Sequence, residues 1–119
     1  HGNIINTASM AGIVAITGHH NSAYCTSKAG IVMFTRQLAG DWAEYGIRVN
    51  AIAPGYMSTR MGGKPLSDPK IIEQIKATTP MRRPADPEEL KGLAVFLASD
   101  ASSYITGQTI IMDGGYTCW

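Results

Sequence analysis

Residues 3 to 8 form a short, largely apolar run that gives way to the small polar Ser9 and then Gly12, a pattern that predicts a buried strand with Ser9 at its carboxyl end. From Ser22 to Tyr45 there is no proline, and apolar or small residues at 24, 31, 32, 34, 38, 39, 42 and 43 recur at largely helical spacing. Ser22 is the expected N-cap of this helix and Gly46 its expected stop. Ile47 to Ala53 is a second strand of β-branched character, ended by Pro54-Gly55, where proline removes a ladder donor. A strand, a helix and a strand in this order imply two parallel neighbours joined by a right-handed crossover, and a parallel sheet needs helices on both faces.

Residues 55 to 84 change character. Glycine and proline punctuation surrounds a short helix that Asp68-Pro69 starts and that Ile71, Ile72 and Ile75 anchor, which predicts a lid over the sheet edge. Asp86-Pro87-Glu88-Glu89 supplies an N-cap, a proline at the first helical position and acids in the first turn. Leu90, Leu93, Ala94 and Leu97 then share one helix face. Gln108 to Asp113 is a third strand, closed by Gly114-Gly115 in a structural turn. The expected fold class is α/β, with a doubly wound parallel sheet.

With 119 residues the chain has room for one core and not two. It is 45% hydrophobic and 16% charged with a formal net charge of +1, so nothing in the charge balance points to nucleic acid or a membrane surface. No apolar run approaches the roughly 20 residues of a membrane helix, and nothing resembles a cleavable signal peptide. Cys25 and Cys118 lack the spacing of a disulfide framework or a zinc site, so the expected setting is a soluble protein in a reducing cytoplasm. The chain opens on His1 and enters a strand at once, which reads as part of a longer protein.

Tyr24 and Lys28 stand four positions apart on the predicted helix and project from one face. An ammonium beside a phenol favours the phenolate and brings the hydroxyl toward proton exchange near neutrality. Ser9, at the mouth of the first strand, is suited to hydrogen-bond a substrate oxygen on which charge develops. Taken singly, Tyr24 and Lys28 are an ordinary surface pair and Ser9 a strand terminator. Together they are an acid/base pair with an oxygen binder at one sheet edge. The polar loop before Tyr24, with His19 and His20, is read as solvated or substrate-facing, Met57 and Met61 as pocket or lid packing, and Trp119 as a subunit contact.

Four motifs follow one another in order: Asn6-Thr7-Ala8-Ser9-Met10-Ala11-Gly12, Tyr24-Cys25-Thr26-Ser27-Lys28-Ala29-Gly30, Val49-Asn50-Ala51-Ile52-Ala53-Pro54-Gly55, and Gly107-Gln108 through Asp113-Gly114-Gly115. Jointly they resemble the short-chain dehydrogenase/reductase family, across nearly the whole chain and about half of a typical member. The resemblance implies the carboxy-terminal, catalytic part of a Rossmann-type domain, with residues 55–84 as the substrate lid. It implies NAD or NADP as cofactor, a small alcohol or carbonyl substrate and a homotetramer, with no nucleic-acid or membrane partner and no metal. Tyr24 matches the family's proton donor and acceptor and one of its cofactor-binding positions, and Lys28 the residue that lowers its pKa and holds the nicotinamide ribose. Ser9 matches the substrate-oxygen binder. Pro54, Gly55, Met57 and Thr59 match the segment that meets the nicotinamide carboxamide, Met57 through its backbone and Thr59 through its hydroxyl.

Ala8 stands where many members carry a serine. The family's glycine-rich turn, ribose-selecting residue and helix asparagine would all lie upstream of His1. The polar run Thr17 to Ser22 offers donors and acceptors suited to a polyhydroxylated chain, and the tail Asp113 to Trp119 resembles the tails of members acting on sugars, gluconate and polyols. Arg60 and Lys64 are too few basic residues to argue for an acyl pantetheine. The expected activity is hydride transfer on a sugar, keto-sugar acid or polyol. The alternatives are a 3-oxoacyl thioester reductase of the same family, or a piece without turnover of its own.

Overall fold

The computed structural model describes residues 1–18, 20–59 and 68–119. Three strands, β1 (Gly2–Thr7), β2 (Ile47–Pro54) and β3 (Thr109–Met112), form a sheet in that order, with both pairings parallel. The register sets Gly2 beside Ile47 and Thr7 beside Ile52, then Ala51 beside Thr109 and Pro54 beside Met112. All three carboxyl ends therefore leave the sheet along one edge. Pro54, which has no N–H to donate, takes the last place in β2 and leaves the ladder intact.

Three helices accompany the sheet: α1 (Ser22–Trp42), α2 (Pro69–Thr78) and α3 (Leu90–Ala98). Alternation along β1 decides which face each covers. Asn3 Nδ2 donates to the Leu97 carbonyl of α3 at 2.6 Å, whereas Asn6, on the opposite face, donates to Thr35 Oγ1 of α1 at 3.0 Å. On the α1 face Ala51, Ala53 and Ala8 pack with Val32, and the small residues let the helix backbone come close to the sheet. On the α3 face Arg48 donates to the carbonyls of Leu97 (2.9 Å), Ser99 (3.2 Å) and Ile105 (3.2 Å), a guanidinium closing the carboxyl end of α3. Asn50 is fully buried with both polar atoms hydrogen-bonded, donating to Ile105 O at 2.8 Å and accepting from Gln108 N at 3.0 Å, which fixes the entry into β3.

The boundaries of α1 differ from expectation at both ends, and α3 starts at Leu90, after a 3₁₀ turn and not at the expected Asp86 cap. Ser22 is the first residue of α1 and not its cap; Asn21 holds that position, its carbonyl accepting from Cys25 N at 2.8 Å while its side chain makes no capping bond. At the other end the α-helix stops at Trp42 and tightens into a 3₁₀ turn, Ala43–Tyr45, before Gly46 ends it in the left-handed region at φ 69°. The helix predicted from Asp68-Pro69 forms, with Asp68 accepting from Lys70 N at 2.9 Å. The lid residues Arg60, Met61 and Lys64 lie outside the described residues, as does His19.

Before α3 the chain forms a 3₁₀ turn, Pro87–Glu89, held by a capping box: Asp86 accepts from Glu88 N at 2.9 Å and Glu89 Oε2 accepts from Asp86 N at 2.8 Å. The same carboxylate takes both arms of Arg83, at 2.8 and 2.9 Å. The Arg83 hydrogen bonds first, and the Asp86 N–H second, lower the Glu89 carboxyl from 4.5 to about 2. A group depressed in the folded state stabilises the fold above its unfolded value, and that contribution is lost as the pH falls from 4.5 toward 2. Both side chains are solvent-exposed, so the effect is modest and salt-sensitive. Glu89→Gln is expected to lower thermal stability at neutral pH, and the gap between variant and wild type should close across that acidic window in low salt. A constant gap would remove the carboxylate's charge from the account.

Candidate active site

Beyond Thr7 the ladder continues for one more bond, Ala8 N to Ile52 O at 2.8 Å, and the chain then bends sharply. Ser9 is extended, at φ −166° and ψ 155°, and caps a 3₁₀ turn over Met10–Gly12, its Oγ accepting from Ala11 N at 3.1 Å. The turn is closed by Gly12 N on Ser9 O at 2.9 Å and Ile13 N on Met10 O at 2.9 Å. Ser9 is buried, yet its hydroxyl hydrogen is not committed to another described residue.

Gly12 brings this turn against α1. A Cβ at position 12 would lie 2.6 Å from the carbonyl carbon of Lys28, 2.7 Å from its oxygen and 2.8 Å from Ala29 N, so only glycine allows the approach. From that point on the helix the Lys28 side chain reaches back to β1, where Nζ donates to Thr7 O at 3.1 Å. The same ammonium stands over the Tyr24 ring, 5.7 Å from its centroid. Lys28 thus ties strand end, helix and phenol together. The Tyr24 ring is 39% exposed, and among the described residues nothing hydrogen-bonds its hydroxyl.

Pro54 and Gly55 leave β2 along the same edge. Gly55 donates to Met112 O at 2.9 Å, and a Cβ there would come within 2.6 Å of Asp113 Cα, so glycine is required where β2 and β3 release their chains. Asp113 uses both carboxylate oxygens on its own turn, accepting from Gly115 N and Thr117 N at 2.8 Å each, the structural role expected of it.

The next segment pairs with Ala85: Ala85 N donates to Tyr56 O at 2.9 Å and Ser58 N to Ala85 O at 2.8 Å. In such a parallel bridge the N–H and C=O of Met57 face away from Ala85. The Met57 carbonyl accepts from Thr59 N at 2.7 Å, while its N–H donates to none of the described residues. Tyr56 is half-buried and packs edge-on against Tyr116, with centroids 5.8 Å apart and planes at 77°. Burial, and next the Tyr116 hydroxyl, push the Tyr56 phenol up.

Ser9, Lys28 and Tyr24 are therefore brought together at the carboxyl edge, with Pro54 and Gly55 on that edge and Met57 and Thr59 just beyond it. The sequence reading named Gly12 after the strand end and placed Gly55 in the cofactor segment, but not the close backbone approaches that both glycines allow. The roles of Arg48 and Asn50, which it missed, had a signal, since a polar residue inside a β-branched strand must find buried partners. No group of metal-binding side chains exists among the described residues. No helix among them is long and apolar enough to cross a membrane.

A family model described as Enoyl-(Acyl carrier protein) reductase matches residues 1–117. The chain is 47% identical over 116 residues to an NAD-dependent glycerol dehydrogenase of Listeria innocua, covering 98% of this chain and 44% of the relative. It is 45% identical over 117 residues to an NADP-dependent mannitol dehydrogenase of Hypocrea jecorina, covering 98% and 43%. The structure superposes on a short-chain type dehydrogenase/reductase from Mycobacterium marinum with a TM-score of 0.90 at 42% identity, over 98% of this chain and 45% of that one. The chain thus spans somewhat less than half the length of these relatives.

The approach of Gly12 to Lys28 is the contact by which the site stands or falls. Gly12→Ala is expected to destabilise the protein by about 1–3 kcal/mol, because the new methyl group meets helix backbone that cannot swing aside. Thermal unfolding measures it. An unchanged melting temperature would mean that the turn and α1 are not held in this contact.

Proposed function

Because the chain belongs to the short-chain dehydrogenase/reductase family, we propose that it forms the catalytic, carboxy-terminal half of a nicotinamide-dependent alcohol dehydrogenase or carbonyl reductase. Its substrates are small polyols, keto-sugars or keto-sugar acids, a class supported by the glycerol and mannitol dehydrogenases it is similar to. The observation that carries the reading is the Lys28 ammonium, 3.1 Å from Thr7 O and 5.7 Å from the Tyr24 ring centroid, beside the Ser9 turn.

Tyr24 gives a proton to the carbonyl oxygen in reduction and takes one from the alcohol in oxidation. The neighbouring ammonium stabilises the negative charge left on the phenolic oxygen. Ser9 donates its uncommitted hydroxyl hydrogen to the same substrate oxygen and polarises it. The nicotinamide nucleotide, when bound, supplies or accepts the hydride. The residues present fit that group: the Met57 N–H, which donates to none of the described residues, suits a carboxamide oxygen, and Lys28 has ammonium donors left for ribose hydroxyls. Pro54 and Gly55 shape that approach and the Thr59 hydroxyl completes it. NAD and NADP both serve as cofactors in this proposal, one being named for the glycerol and the other for the mannitol dehydrogenase.

Residues 55–84 act as the lid. An upstream half supplies the glycine-rich turn, and the whole works as a cytoplasmic homotetramer. Met33 and Phe34 on α1, 60% and 56% exposed, support packing of that helix against an upstream half or a neighbouring subunit.

The test uses this chain joined to its upstream half. Tyr24→Phe should lower turnover by roughly 10² or more while the protein still folds. Lys28→Met should lower turnover and also weaken cofactor binding. Activity of Tyr24→Phe within a few-fold of wild type would move the proton donor elsewhere, and a Lys28→Met variant with intact affinity would return that lysine to the surface.

A further inference from the structure

A cavity of about 120 Å³ lies beside the segment that follows β2. Tyr56 and Ala85 form part of its wall, and Thr79, Arg83, Glu89 and Asp113 another part. Ser9, Tyr24 and Lys28 do not line it, so it is separate from the catalytic edge. Thr79 is 3% exposed and its backbone is fully used: the N–H donates to Ile75 O at 2.8 Å and the carbonyl accepts from Arg82 N at 2.8 Å. Its methyl lies against Gly114, where a Cβ would come within 2.9 Å of it. The Thr79 hydroxyl is buried and hydrogen-bonds to none of the described residues. A buried hydroxyl on a cavity wall is costly unless something in the cavity pairs with it.

The lining selects by charge and size. Both arms of Arg83 are taken by Glu89, and an anion would be repelled by the Glu89 and Asp113 carboxylates. A cation would face the guanidinium. Each Asp113 oxygen accepts a single hydrogen bond, from Gly115 N and from Thr117 N, and keeps a lone pair. The cavity therefore offers carboxylate acceptors and one hydroxyl that both donates and accepts, which complements neutral hydroxyl groups. A cavity of roughly 150 Å³ holds a benzene ring, so about 120 Å³ admits a molecule of about six non-hydrogen atoms or fewer.

The same wall belongs to the segment that the proposed function gives to the cofactor. Ala85 N donates to Tyr56 O and Ser58 N to Ala85 O, the bridge that holds Met57 in place. A ligand against Tyr56 and Ala85 would restrict that segment beforehand, and the cofactor would then lose less freedom on binding.

We propose that this cavity is a second ligand site, which takes a small neutral polyol of the size of glycerol and tightens cofactor binding through the Tyr56–Ala85 bridge. The coupling rests on the catalytic reading above, whereas the site itself does not. Thr79 anchors the ligand through its hydroxyl, and by reciprocity the cofactor tightens the ligand by the same factor.

The experiment titrates the chain joined to its upstream half with glycerol, as wild type, Thr79→Val and Thr79→Ser. Thermal unfolding without cofactor reads the site. Glycerol should raise the wild-type melting temperature along a saturating curve, with half-saturation moved about tenfold higher in Thr79→Val and returned toward wild type in Thr79→Ser. Cofactor titration reads the coupling: the Kd of the nicotinamide nucleotide should fall about fivefold in saturating glycerol for wild type and Thr79→Ser, and stay level for Thr79→Val. Equal melting gains in all three proteins, as when water alone fills the cavity or glycerol acts only at the catalytic edge, would overturn the site. A selective melting gain with unchanged cofactor affinity would overturn the coupling. Absence of cofactor binding in all three would overturn the catalytic reading and the coupling with it, while the melting curves alone decide the site.

Discussion

The approach of Gly12 to the backbone of α1 governs the rest of the site. A strand end and a helix on a sheet face ordinarily stand a side chain apart, and here that spacing is removed at one point. With the turn against the helix at Lys28, the lysine side chain has the reach to return to Thr7 O, and in doing so its ammonium stands over Tyr24. Ser9 is the cap of that same turn, so its orientation is set by the contact as well. One missing Cβ thus brings a hydroxyl from the turn after β1 to the same edge as an ammonium and a phenol on α1.

The second structural theme is polar clamping on the other face. Arg48, Asn50 and Asn3 send their donors to carbonyls of Leu97, Ser99 and Ile105, where the chain leaves α3 and approaches β3. Ser102, buried in the intervening turn, adds its hydroxyl to Leu97 O at 2.9 Å. These carbonyls lie at a helix end and in a loop, where no ladder would satisfy them, and the strand side chains fill that need. β3 is thereby brought into register with β2, so that Gly55 and Asp113 meet at the edge. These clamps lie on the α3 face of the sheet, apart from the edge where Ser9, Lys28 and Tyr24 stand.

Much of this was legible in the sequence where local chemistry decides structure. Gly46 at a helix stop, the acids and proline at 86–89, and the strand, helix, strand order all follow from backbone preference and periodicity. Ser9, Tyr24 and Lys28 were legible because their spacing, set on that order, leads to one edge. The miss at Ser22 has a simple cause: the carbonyl of Asn21 takes the first helical hydrogen bond, and serine and asparagine are equally good caps on paper. The Arg48 and Asn50 clamps depend on residues from distant segments. No local pattern announces them.

The central claim is that Ser9 and Tyr24 serve one substrate oxygen. The most direct measurement is a crystal structure of this chain with its upstream half, bound to oxidised cofactor and a polyol. The account predicts both hydroxyl oxygens within about 2.6–3.2 Å of the reacting alcohol oxygen. A polyol bound with that oxygen beyond one water's reach of Tyr24, or held by other residues, would contradict it.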